Sequence, residues 1–156
     1  GLEFTLAGAV FAVSQAIGAA LRIVMGWIAD RAFGARPTLV ALGIGSAIAL
    51  SSLTALTPES PLALSIGLSV VAGSLSFGWN GVFLAEVVNL SGPTDVGTAT
   101  GGSLFFLYGG VVLGPLLMSL LIGLSGGFSI PIYGIALVTV VASLNLLRVA
   151  RSPALD

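Results

Sequence analysis

Five stretches of this chain are long, apolar and nearly free of charge: Phe4–Ile28, Thr38–Leu56, Leu62–Val88, Val96–Ile122 and Ile130–Val149. A helix rises about 1.5 Å per residue, so about 20 apolar residues cross a hydrocarbon core about 30 Å thick. Each stretch has that reach. Strands of a membrane barrel would be about half as long and would alternate in polarity; these runs do not alternate. The breaks between them carry turn residues: Gly34 and Pro37, then Thr57–Pro61, Ser91–Asp95 and Ser125–Gly127. Glycine, proline and short polar side chains stop one helix and start the next, with Asp95 placed to cap the fourth run. The expected fold is an all-α, polytopic membrane protein, a bundle of five transmembrane helices.

Composition removes the soluble alternatives. Charged residues make up 7% of the chain, against about 25% in soluble domains, and mean hydropathy is +1.14. A polar surface cannot be assembled from so few charges. The net charge of −1, with no basic cluster beyond the first turn and the tail, argues against nucleic acid as a partner. No cysteine and no histidine are present, which removes thiolate chemistry and the commonest general base and metal ligand. No metal, no cofactor and no catalytic residue is expected. The partners left are the lipid bilayer and a small-molecule substrate.

The arginines set an orientation. Arg31 and Arg36 sit in the first turn, and Arg148 and Arg151 follow the last run, whereas Thr57–Pro61 and Gly123–Ser129 contain neither Lys nor Arg. Basic residues collect on the cytoplasmic side. That places the first and third turns and the C-terminus in the cytoplasm, and the N-terminus outside. Position 1 is Gly rather than Met, the chain enters a span almost at once, and no secretory signal is visible. The expectation is a sequence that begins partway through a longer protein.

Gly26–Pro37, GWIADRAFGARP, concentrates Asp30, Arg31 and Arg36 between two apolar runs. Its Gly26, Asp30, Arg31, Gly34 and Arg36 resemble the loop signature of the major facilitator superfamily, Gly-x-x-x-Asp-Arg followed by Gly and basic residues. It departs in having both Ala32 and Phe33 before the glycine, and Pro37 in place of a second basic residue. In the fourth run, Gly101, Gly110, Gly114 and Pro115 are similar to the glycine-proline pattern of drug-proton antiporters of that superfamily, with Met118 and Ser119 where the pattern closes on two glycines. Gly78–Gly102 is similar to the junction of the tenth and eleventh helices in bacterial members. The signature can follow the second or the eighth helix. First-half members usually carry an arginine inside the fourth helix, and Leu62–Val88 has none. The resemblance therefore implies helices eight to twelve, residues 1–156 forming a partial C-terminal transmembrane domain whose missing partner is the N-terminal half.

What the resemblance implies is secondary active transport of a small solute by alternating access, proton-coupled or facilitated, in the inner (plasma) membrane of a bacterium. A non-transporting membrane scaffold or truncated subunit that binds partner helices is the alternative. In the family an acidic residue near the end of this span joins the loop charges in a network. Glu86 with Arg31 or Arg36, beside Asp30, would then form a cytoplasmic gate; a proton-carrying Glu86 is the other reading.

Four further residues are candidates for a substrate cavity. Arg22 lies eight residues before Asp30, about 12 Å inside the boundary, where a charge costs about 2.5–3.5 kcal/mol. It must face a partner, water or an anionic substrate; otherwise it snorkels or binds a neighbouring helix carbonyl. Gln15, Gly18 and Gly26 share its face. Trp79 and Asn80 fall in mid-span, where Ser69, Gly73, Ser76 and Asn80 make a small polar face, a cavity wall or a set of interhelical hydrogen bonds. Gly101, Gly110 and Gly114 permit close helix packing or, with a kink at Pro115, a hinge.

Overall fold

The computed structural model describes residues 4–149; the basic flank Arg151 lies outside them. The helices are α1 (Phe4–Ile28), α2 (Ala35–Leu53), α3 (Leu62–Gly78), α4 (Asn80–Leu90), α5 (Val96–Ser125) and α6 (Ser129–Val149). α3 and α4 are two parts of one span, and among the described residues there is no strand. Five helical segments are long and apolar enough to cross a membrane: Phe4–Phe33, Ala35–Leu53, Leu62–Leu90, Val96–Ser125 and Ser129–Arg148.

The charged first turn is more ordered than a loop. Ala29–Phe33 continues α1 as a π-helical turn, closed by the Gly34 N–H donating to the Ala29 carbonyl at 3.0 Å. Gly34 alone separates the two helices, at φ 82° and ψ 163°, a backbone conformation that a Cβ makes costly. The Thr38 hydroxyl then donates to the Gly34 carbonyl at 2.8 Å. Asp30 and Arg31 thus ride on an extension of α1, and Arg36 on the first turn of α2. Pro37 and Pro131 each fall within the first turn of a helix, where the missing N–H has no partner to lose.

One local expectation is corrected. Asp95 precedes α5 but makes no capping hydrogen bond with its side chain. α5 runs through Pro115 without interruption. The interruption falls in the third span instead, at Trp79.

Packing is built from small residues. α1 lies along α3 and α4; α2 lies between them and α6; α5 touches α4 and α6 and buries no residue. The buried positions are Ala29, Ala47, Ala49, Ala72, Val40, Val82, Ser14, Ser46, Ser74 and Ser143 among others, while Phe4, Ile23, Phe105, Leu116 and Leu124 point outward. In lipid, bulky apolar side chains gain nothing by turning inward, and close backbone approach supplies the attraction. The α1 seam shows how close. A Cβ built on Gly73 would lie 2.8 Å from Ser14 Cβ, and one on Gly18 would lie 3.0 Å from Phe77 Cβ. The Ser74 hydroxyl donates across this seam to the Ser14 carbonyl at 3.2 Å. On the other side of the bundle, a Cβ on Gly43 would collide with Ser143 Oγ.

The glycines expected to pack are not these. At Gly97, Gly101, Gly102, Gly109, Gly110 and Gly114 no other atom lies within 4 Å of where a Cβ would stand. Within the described residues nothing packs against their Cβ positions, since α5 stands at the margin of the bundle.

Candidate functional site

Near the middle of the third span, four unusual features coincide. α3 ends at Gly78 and α4 begins at Asn80. The N–H of Trp79 makes no backbone hydrogen bond, whereas the residues that end the other helices (Gly34, Thr54, Ser91, Gly126) all donate one. Two residues earlier, the Phe77 carbonyl accepts a bond from Arg22 Nε at 2.9 Å. On the following residue, Asn80 Oδ1 is buried without a hydrogen-bond partner.

Arg22 reaches this carbonyl because α1 and the third span run side by side in the same direction. Ser14 lies at Gly73 and Ser74, Gly18 at Phe77, Leu21 at Gly78 and Arg22 at Gly81, so both segments advance together in the same direction. A Cβ on Gly81 would lie 3.4 Å from Arg22 Cβ and 3.5 Å from its carbonyl oxygen. Helical side chains lean toward the N-terminus, so the guanidinium is carried back to Phe77, toward mid-span and away from the charged turn. Arg22 therefore does not snorkel. It makes this single hydrogen bond among the described residues and stays half-exposed.

The remaining cavity candidates do not all meet there. Gln15 is half-buried on α1, one turn above Gly18, and makes no hydrogen bond among the described residues. The Trp79 side chain points the other way, edge-on to Phe83 at a centroid distance of 5.4 Å, into a cleft of about 420 Å³ between α2, α3/α4 and α6. Ser46, Ser76, Thr139 and Ser143 line that cleft with Leu42 and Val138. The supposed polar face is thus divided. Ser76 faces the cleft, Gly73 packs on α1, and the Ser69 hydroxyl satisfies the Ser65 carbonyl of its own helix at 2.8 Å.

The charges at the first turn form one pair, not a cluster. Arg36 Nε donates to Glu86 Oε1 at 3.0 Å, tying α2 to α4. The side chains keep 32% and 19% of their exposure, so the pair sits at the edge of the packed region. Arg31 instead lies over the Trp27 ring, 5.3 Å from its centroid, an arrangement in which the ring quadrupole attracts the cation. Asp30 is exposed and makes no hydrogen bond or ion pair among the described residues. Next to the Arg36–Glu86 pair is a second hollow of about 280 Å³, lined also by Asn145 and sharing Leu39, Phe83 and Leu146 with the first.

Sequence reasoning missed the interruption at Trp79, the α1 seam and the hydroxyl-lined cleft. The first two had a signal: Gly78 and Gly81 flank the tryptophan, and Ser14, Gly18 and Arg22 recur every fourth residue. Among the described residues no group of His, Cys, Asp or Glu is arranged to hold a metal ion.

Apolar spans, a small-residue interior and isolated mid-span polar groups define a polytopic α-helical integral membrane protein. The chain belongs to the Major Facilitator Superfamily, whose family model matches residues 1–155. It is a transporter of that superfamily, whose members carry small molecules across membranes and are not enzymes. No curated protein and no solved structure matches the chain.

Proposed function

We propose that the chain is helices eight to twelve of an alternating-access carrier for a small anionic solute, with Arg22 as the group that reads the anion. The observation that carries this reading is the direction of Arg22. Its guanidinium stands near mid-span, points away from the nearer end of the bundle, and has spent one of its five N–H donors on the Phe77 carbonyl. Carriers of this type bind solute near the midplane between two halves. The Nη fork suits a carboxylate or phosphate oxygen pair. Asn80, with its buried unpaired Oδ1, would add a second polar contact. Gln15 contributes from α1 and Trp79 from the cleft side.

At the first turn, Arg36 and Glu86 hold α2 to α4 in the cytoplasmic gate, while Asp30 and Arg31, which make no ion pair among the described residues, face the opposite half. A carboxylate at Asp30 would be attracted to the positive N-terminal end of a helix there. The C-terminus is cytoplasmic and the membrane is the bacterial inner membrane. Exposed α5, with Gly101, Gly110 and Gly114 unpacked, supports a chain that shares its surface with further helices of the same carrier. Transport is proton-coupled or facilitated; of the two carboxylates within the described spans, Asp30 lies in the charged turn at the end of the first and Glu86, in the third, is paired with Arg36.

The test is Arg22→Ala and Arg22→Lys in the full-length protein, reconstituted in liposomes and assayed for exchange of small organic carboxylates and phosphates. The expected result is loss of exchange in Arg22→Ala and a weakened apparent affinity in Arg22→Lys. Unchanged exchange and affinity in both variants would sink the assignment. The same bare α5 also suits a membrane scaffold. That reading predicts co-purification of a partner helix bundle with no solute exchange in any variant.

A further inference from the structure

We infer that the hollow between α1 and α2, beneath the charged turn, seats one acyl chain of an anionic phospholipid whose phosphate is held by Arg31. The inference is independent of the substrate reading. Within the gate it gives Arg31 a partner on the lipid side and leaves Asp30 to the opposite half.

Below the turn the two helices part, because each packs on α3 rather than on the other. α1 meets α3 through Ser14 and Gly18, where the backbones come close. Toward α2 it presents Met25 and Ile28, which are too bulky for such an approach. The result is a hollow of about 490 Å³ lined by Met25, Ile28, Phe33, Pro37 and Ala41, with Leu75 of α3 among its walls. No charged side chain lines it, and its one hydroxyl, that of Thr38, already donates to the Gly34 carbonyl. Left empty, such a lining would forfeit dispersion contacts, and in a bilayer the apolar material at hand is acyl chain. From Met25 to Phe33 the hollow follows about 12 Å of helix. A chain that reaches halfway through a core about 30 Å thick extends about 15 Å, so most of its length fits.

The rim makes the site selective. Trp27 and Arg31 are one turn apart on an exposed face of α1, with the Arg31 guanidinium over the Trp27 ring at 5.3 Å. Tryptophan belongs at the boundary between lipid and water, and Trp27 keeps 56% of its exposure there. The ring holds the guanidinium at that level and occupies only its face. The in-plane N–H donors make no hydrogen bond or ion pair among the described residues, and their fork matches two phosphate oxygens. Asp30 does not cancel this charge, since adjacent residues of a helix do not face the same way. Arg36 is turned to Glu86 on α4.

The experiment reconstitutes the full chain, with Trp79→Phe so that Trp27 is the sole tryptophan, in phosphatidylcholine vesicles. Phosphatidylglycerol or phosphatidylcholine, brominated near the head of the acyl chain, is added in rising proportion while quenching of Trp27 is followed. Brominated phosphatidylglycerol should quench at about fivefold lower mole fraction, the effect of one basic residue at the membrane surface, and high salt should narrow the gap. Arg31→Gln should bring the two curves together. Arg31→Lys, which keeps the charge without the fork, should retain part of the preference. Ala41→Leu changes an exposed position, fills the hollow and leaves Arg31 in place; it should remove most of the preference.

An equal response to the two lipids in the parent chain, or a preference that Arg31→Gln leaves intact, overturns the phosphate assignment. A preference that survives Ala41→Leu reduces the site to surface attraction and overturns the hollow as the seat of the chain. No quenching by either lipid means that protein, such as a further helix, covers this face, and overturns the inference outright.

Discussion

Gly73→Ala tests the account of what holds this bundle together. The new methyl would lie 2.8 Å from Ser14 Cβ and 3.0 Å from Ser14 Oγ, closer than nonbonded carbons approach. Turning Ser14 to another rotamer, at the cost of its bond to the Val10 carbonyl at 2.8 Å, moves only Oγ, so relief of the Cβ contact requires α1 and α3 to separate. Overpacking of this kind costs about 1–3 kcal/mol. The intrinsic gain of alanine over glycine in a helix, about 1 kcal/mol, works against that cost. Gly67, on the same helix, isolates the second term, because nothing lies within 4 Å of its Cβ position. The two alanine variants should therefore differ by about 2 kcal/mol, Gly73→Ala unfolding first.

Ser14→Gly supplies the cross-check. It removes the atoms that clash and leaves the Ser14 carbonyl that accepts from Ser74. In the Gly73→Ala background it should recover about 1 kcal/mol, a coupling well above the scatter for independent sites. Detergent-titrated unfolding in mixed micelles, followed by circular dichroism, measures the wild type, the three single variants and the double variant. If Gly73→Ala is as benign as Gly67→Ala, or if Ser14→Gly recovers nothing, the seam is not the close-packed interface described here.

The Arg36–Glu86 pair should show a coupling of about 1 kcal/mol in a cycle of Arg36→Gln and Glu86→Gln, reduced in high salt because both side chains keep contact with solvent; additive losses would mean the pair contributes nothing. Arg31→Gln in a Glu86→Gln background should be additive, since Arg31 lies over Trp27. Gly34→Ala should destabilise by about 1–3 kcal/mol, because φ 82° with ψ 163° is open to glycine alone. Thermal unfolding reads that effect, and a stabilised variant would show that the two helices are joined differently.

The parts of this protein legible in its sequence are those set by local length and composition. Five apolar runs gave five spans because a helix that satisfies its own backbone is the only open way to cross lipid at that length. Turns fell near their glycines and prolines because those residues act on their own dihedrals. Even so, the charged stretch read as a loop is mostly helix, since a π-helical turn can carry Asp30 and Arg31 without breaking α1.

What faces what was settled only in three dimensions. Spacing placed Gln15, Gly18 and Arg22 on one face of α1, and the alternatives for Arg22 stayed open until α3 was seen beside it, with the Phe77 carbonyl in reach. Glu86 could be matched with either loop arginine by sequence; the setting of α2 against α4 selected Arg36. The glycines of α5 look like packing residues in the sequence, yet the close contacts belong to Gly18, Gly43 and Gly73. A hydrophobic pattern cannot fix such rotations in lipid, because every side of a transmembrane helix is apolar and outward turning costs nothing. The rotations are decided by where two backbones can approach, which is a property of pairs of helices and is written in neither one alone.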